Sequence, residues 1–187
     1  MDGIVGIFTS FGLSSSAGLN AYLPLLVVAL VGRFTDWIKL NEPFDALTSW
    51  WVIGLLVVLT AIEIIADKIP VVDSTNDVIQ TAIRPIAGAI LFAANTNAIA
   101  DIHPVLAMVC GLLVAGTVHV VKSTARPLVT ASTAGMANPV VSTGEDILSA
   151  LTAFLSILLP VLLAIVLLLA TAIIGWWLWS IRRRQQR

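Results

Sequence analysis

Trp50-Trp51-Val52-Ile53-Gly54-Leu55-Leu56-Val57-Val58-Leu59-Thr60-Ala61-Ile62-Glu63-Ile64-Ile65-Ala66-Asp67-Lys68-Ile69-Pro70 has no natural place in a water-soluble domain. It opens on an aromatic pair of the kind that sits at membrane–water interfaces. No charge interrupts it before Glu63. Pro70 closes it, because the ring removes an N–H and disfavours helical backbone in the residue before it. Thr60, Glu63 and Asp67 recur at i, i+3, i+7, which puts them on one helical face. The segment therefore reads as a transmembrane helix carrying acids on a single stripe.

Composition extends that reading to the whole chain. Hydrophobic residues make up 58% and charged residues 11% of 187 positions, against roughly 45–50% and about 25% in soluble domains. The mean hydropathy is +0.99. A soluble fold cannot hide that much apolar surface. Lipid as solvent demands that every backbone polar group be paired, hence helices or a closed barrel. Long unbroken apolar runs exclude the alternating pattern of a barrel. The expected fold is all-α, a single polytopic transmembrane helix bundle. A net charge of −1 and the lack of a basic groove argue against nucleic acid. Cys110 is the lone cysteine, so there is no disulfide framework or thiolate metal site. The start, Met1-Asp2-Gly3, lacks the basic region of a cleaved signal.

Five spans are expected, over residues 19–34, 50–69, 75–95, 104–122 and 145–181. The third contains Pro85. The last is long for a hydrocarbon core of about 30 Å, which needs roughly 20 residues, so a kink at Pro160 is expected. It ends in Trp176-Trp177-Leu178-Trp179 and Arg182-Arg183-Arg184, an aromatic belt followed by a basic cluster. The positive-inside rule then puts the C-terminus of a multi-pass cell-membrane (inner-membrane) protein in the cytoplasm. Two further segments, residues 3–18 and 128–141, read as broken, re-entrant or discontinuous pieces, because Ser14-Ser15-Ser16-Ala17-Gly18 and Ser132-Thr133-Ala134-Gly135 are runs of small residues. Asn20 with Pro24, and Asn138 with Pro139, flank them. An internal repeat is expected as well: Gly54-Leu55-Leu56-Val57, Thr60 and Pro70 recur in register as Gly111-Leu112-Leu113-Val114, Thr117 and Pro127.

The charges carry the functional argument. Asp77, Thr81, Arg84 and Gly88 share a face of the third span; His119, Lys122 and Arg126 share one of the fourth; Glu145, Ser149, Thr152 and Ser156 share one of the fifth. A charge at bilayer depth costs about 2.5–3.5 kcal/mol on insertion scales and normally turns to a bundle interior or watery cavity. The stripes are expected to face one another, setting Glu63, Asp67, Asp73, Asp77, Glu145 and Asp146 against Lys68, Arg84, Lys122 and Arg126, with His119 nearby. The competing reading has these side chains snorkelling outward to headgroups, and the small-residue runs merely allowing close helix packing.

The blocks Gly18-Leu19-Asn20-Ala21-Tyr22-Leu23-Pro24, Glu63 through Asp73, Ile83-Arg84-Pro85-Ile86-Ala87-Gly88, and Lys122-Ser123-Thr124-Ala125-Arg126-Pro127 through to Ser142-Thr143-Gly144-Glu145-Asp146 resemble a bacterial membrane family known as domain of unknown function 4126. The likeness covers roughly residues 12–160. It implies a helical membrane protein and carries over no activity and no functional residue. It also implies a basic residue where Asn20-Ala21 stands, a departure that weakens an anion-binding role for that position.

The leading expectation is transport of a small charged solute or lipid headgroup through a central polar site between broken helices. Arg84, Lys122, Arg126, Asn20 and Asn138 would bind the anionic moiety, and Glu63, Asp67, Asp77 and Glu145 would couple an ion or proton. The alternative is a non-catalytic scaffold or assembly factor whose buried charges are structural. An enzyme is not expected: His103 and His119 are the only histidines, and no hydrolase or zinc motif occurs. No cofactor or metal is expected. The partners are the lipid bilayer, an anionic solute or headgroup, and a second copy of the chain as a homo-oligomer. A reporter active only in the cytoplasm, fused after Arg187, should be active; a periplasm-dependent reporter at the same point should be silent.

Overall fold

The computed structural model describes residues 2–40, 42–95 and 102–159, without the side chains of 2–4 and 70–75. The expected kink at Pro160, the Trp176–Trp179 belt and Arg182 to Arg184 lie outside the described residues. The helices are α1 Asp2–Leu19, α2 Tyr22–Phe34, α3 Trp50–Ala66, α4 Pro70–Asn95, α5 Pro104–Thr133 and α6 Asn138–Leu159. A short 3-10 turn, Phe44–Thr48, precedes α3. No strand occurs among the described residues. In α4, α5 and α6 a stretch is long and apolar enough to cross a membrane; α1, α2 and α3 contribute shorter apolar helices.

Local chemistry explains several of these ends. The Ser49 hydroxyl accepts from the Val52 N–H at 3.4 Å and starts α3. Pro70 opens α4, where its missing N–H costs nothing. His103 Nδ1 accepts from the Val105 N–H at 3.3 Å, one residue before Pro104 opens α5. One of the two histidines is thereby accounted for as a cap. Where α2 ends and α3 begins, the Arg33 guanidinium lies 5.2 Å from the Trp50 ring centroid.

Polar and charged side chains share the interior of the molecule with an apolar core that includes Leu13, Val28, Leu56 and Leu91, and many large apolar side chains lie outside. Arg84, Gln80, Glu63, Asn20, Asp67, Ser10, Ser14 and Ser16 are among its most buried side chains, whereas Trp51, Ile62, Val78, Leu113, Val121 and Leu128 are exposed. Water would penalise that surface, whereas lipid tolerates it.

Small residues bring the helices together. Along α1 and α6, Thr9 donates to the Ser156 carbonyl at 2.9 Å, Ser16 to the Ser149 carbonyl at 2.7 Å, and Asn20 to Asp146 at 2.9 Å. The pairing runs up one helix and down the other, so the two are antiparallel. Ser14 donates to the Gly88 carbonyl of α4 at 2.9 Å. Gly88 and Gly111 let α4 and α5 approach closely: a Cβ added to Gly88 would meet the Gly111 carbonyl oxygen at 2.7 Å.

Two expectations are corrected. Residues 3–18 contain no break: Ser14 to Gly18 lie within α1, where each turn is helical and the buried hydroxyls find carbonyls on neighbouring helices. The interruption falls just beyond, at Asn20 and Ala21. The span expected over 104–122 continues to Thr133, because Pro127 deletes one backbone bond without ending the helix. Pro70 and Pro127, matched in the repeat, therefore occupy different positions, one starting a helix and the other inside one. In the region 128–141 the chain turns over residues 134–137, with Ala134 at φ 51° and Gly135 at φ 81°. Replacing Gly111 with Val should destabilise the bundle by about 1–3 kcal/mol through overpacking, read by denaturant unfolding in micelles. Gly54→Ala should change little, since an added Cβ there meets nothing within 4 Å.

Candidate functional site

The stripes do converge. Glu63 lies in the last turn of α3 and Asp67 directly after it; Asp77 and Arg84 come from α4; His119, Lys122 and Arg126 from α5; Glu145 from α6. Arg84 is the hub. Its Nη2 lies 3.1 Å from Glu63 Oε1 and 3.5 Å from Asp67 Oδ2, and its Nη1 lies 3.7 Å from Asp77 Oδ1. Lys122 Nζ reaches Asp67 at 3.4 Å and Glu145 at 3.0 Å. Arg126 Nη2 reaches the same two acids, at 3.4 and 2.7 Å. Side-chain exposure grades along the network, from 0% for Arg84 and Glu63, through 1% for Asp67 and 2% for Lys122, to 9% for Arg126 and 15% for Glu145. Asp77, on the far side of Arg84, is 18% exposed, so the network nears the surface at both Asp77 and Glu145 around a sealed Arg84–Glu63 centre.

Backbone groups freed by the α1–α2 interruption join this network. The Ala21 N–H donates to both Glu63 carboxylate oxygens, at 3.2 and 3.1 Å, and the Tyr22 N–H to Oε2 at 3.4 Å. Glu63 thus occupies the positive end of α2, where unpaired N–H groups favour an anion. On the other side of the gap, Lys122 Nζ donates to the Leu19 carbonyl at 2.8 Å. Both ends of the broken helix are closed by side-chain charge.

Hydrogen bonds also set the state of His119. Arg84 Nη1 lies 3.0 Å from His119 Nδ1, and arginine can only donate, so Nδ1 accepts. The ring proton then sits on Nε2, which donates to Thr81 Oγ1 at 3.1 Å. Thr81 in turn donates its hydroxyl hydrogen bond to the Asp77 backbone carbonyl at 2.8 Å. The chain of donors is consistent throughout.

The remaining expected residues are placed differently. Asn20 meets no cation: its Nδ2 donates to Asp146 Oδ1 and its Oδ1 accepts from the Leu23 N–H at 3.0 Å. Asn138 exchanges hydrogen bonds with Thr130 at 3.0 and 3.1 Å, across the turn that joins α5 to α6. The side chain of Asp73 lies outside the described residues. Two contributors escaped the sequence reading. Asn76, next to Asp77 in the sequence, donates to Asp67 Oδ1 at 2.7 Å. The Leu19, Ala21 and Tyr22 backbone groups carry no side-chain signal at all. Among the described residues, no cluster of three or more His, Cys, Asp or Glu side chains could hold a metal ion.

Removing one partner from a buried ion network strands the others, at about 3–5 kcal/mol. Arg84→Met should destabilise the folded protein by that order in micelles. Arg84→Lys should recover little, because an ammonium cannot span Glu63, Asp77 and His119 at once.

A family model described as domain of unknown function (DUF4126) matches residues 7–180. No curated protein and no solved structure matches the chain.

Proposed function

We propose that this chain, which belongs to the DUF4126 family, translocates a small anionic solute or lipid headgroup across the cell membrane through the charged network at the α1–α2 interruption. The observation that carries this reading is the pairing of a helix break with buried charge: Glu63 covers the free N–H groups of α2, and Lys122 covers the end of α1. Interrupted helices whose ends face charged ligands at mid-membrane are the working parts of many secondary transporters. Thr60 Oγ1, one turn before Glu63, and Gln80 Oε1, one turn before Arg84, are buried with no hydrogen-bond partner among the described residues. Buried polar groups left in that state point to water or a ligand.

In this reading the anion enters at Arg126 and Glu145, which are more exposed than Lys122 and Arg84, and takes the place of a carboxylate on Arg126 and Lys122. Arg84 receives it further in, as Glu63 withdraws. Glu63, Asp67, Asp77 and Glu145 hold the cations between cycles, and a displaced carboxylate takes up a proton or cation. The protein is multi-pass with a cytoplasmic C-terminus, and a second copy completes the pathway. No catalytic step belongs to this reading, in which His119, with its proton on Nε2, serves Thr81 as a hydrogen-bond donor and not as a base.

One observation favours the scaffold reading instead. Arg84 and Lys122 are each already matched to carboxylates, as purely structural charges would be. Glu63→Gln and Arg84→Gln, reconstituted in proteoliposomes, separate the two. Transport predicts that flux of an anionic solute, or flipping of an anionic lipid, falls at least tenfold in protein that still inserts. Undiminished movement with both residues neutralised would end the translocation reading. Lowered stability without any effect on movement would favour the scaffold.

A further inference from the structure

One face of α6 carries the stripe Ser142, Asp146, Ser149 at i, i+4, i+7, of which Ser149 meets Ser16 of α1 and Asp146 meets Asn20 just beyond it. Hydrogen bonding declines along it toward the α1–α2 interruption. Ser149 is fully engaged: its hydroxyl contacts Ser16 Oγ at 2.9 Å and donates to the Ser16 carbonyl at 3.1 Å. Asp146 is half engaged. Its Oδ1 accepts from Asn20 Nδ2 at 2.9 Å, while Oδ2 has no hydrogen-bond partner among the described residues. Ser142 Oγ has none either. Both side chains are more than nine-tenths buried, Asp146 at 8% and Ser142 at 0% exposure.

Asp146 also differs in charge environment from the other buried acids. Glu63, Asp67, Asp77 and Glu145 each lie within ion-pair distance of Arg84, Lys122 or Arg126. Asp146 makes no such pair among the described residues; Lys122 and Lys68 act on it only through space, and its direct partner is a neutral amide. Unless it takes up a proton, a buried carboxylate in that position needs a positive charge as well as a hydrogen bond. Water supplies only the second. A small cation supplies both, and the oxygens offered, a carboxylate and a hydroxyl, are hard ligands suited to an alkali ion. A divalent ion would call for further acids, and no cluster of three metal-binding side chains occurs among the described residues.

We infer that Asp146 Oδ2 and Ser142 Oγ, beside Asn20 at the α1–α2 interruption, form a binding site for a monovalent alkali cation. Asn20 orients the carboxylate through Oδ1 and simultaneously holds the first turn of α2 through the Leu23 N–H. Occupancy is thereby linked to the helix end that Glu63 caps. As the coupling site of a transporter it rests on the reading above; as a binding site it does not.

The test is equilibrium binding to the purified full-length protein in micelles, without flux. Melting is followed in sodium or potassium chloride against choline chloride at equal ionic strength, together with uptake of radiolabelled sodium by scintillation proximity. Wild type should show saturable stabilisation by at least one alkali ion over choline. Asp146→Asn should abolish it. Ser142→Ala should raise the half-saturating concentration about tenfold, in line with losing one supporting group at a metal site. Should Asp146→Asn fail to fold, the Ser142→Ala shift decides. Identical melting in choline and both alkali salts would overturn the site. So would an alkali response unaltered in Ser142→Ala. Because no transport is measured, a negative flux result leaves this outcome intact, and the reverse also holds.

Discussion

A guanidinium buried at 0% exposure has few tolerable environments, and Arg84 shows what it requires. The group cannot lose its charge and carries five N–H donors in a fixed planar fork. Glu63 and Asp67 meet it from α3, Asp77 from its own helix, and His119 from α5. Three of those four partners are in turn tied elsewhere: Glu63 to the start of α2, Asp67 to Lys122, Arg126 and Asn76, and His119 to Thr81. Satisfying one arginine thus fixes the relative positions of α2, α3, α4 and α5. The Lys122 and Arg126 contacts to Glu145 add α6.

Around this centre the helices pack by a different logic. With lipid outside there is little gain in burying one apolar face against another, so contact depends on close fit and on interhelical hydrogen bonds. The serines of α1 and the Gly88–Gly111 approach supply both. Apolar residues such as Ile62, Val121 and Leu128 are left facing outward. The result is a bundle with a small-residue seam, a charged interior and a greasy surface.

Much of this could be read in advance, and the failures are informative. The stripes on residues 60–67, 77–88, 119–126 and 145–156 found the interior because helical periodicity acts at the level of sequence, and because charge has nowhere else to go in lipid. The small-residue run at Ser14 to Gly18 misled. Serine and glycine are compatible with either a break or a tight contact, and neighbouring carbonyls on α4 and α6 decided for the contact. Pro127 misled similarly, since one missing N–H is a local loss that surrounding packing can override. Asn20 and Asn138 look alike in sequence, yet one faces Asp146 and the other Thr130, a distinction made by tertiary partners alone.

Both prolines within helices follow an arginine of the network, Arg84-Pro85 in α4 and Arg126-Pro127 in α5. Proline cannot donate to the carbonyl four residues back, so the Thr81 and Ser123 carbonyls each lack the usual bond. Bending at these points forfeits no further backbone hydrogen bond. The two helices are thus most pliant beside the groups whose partners are most tightly specified. A swivel of either arginine from one acid to another can be taken up as a change of helix curvature, leaving the rest of each rod intact.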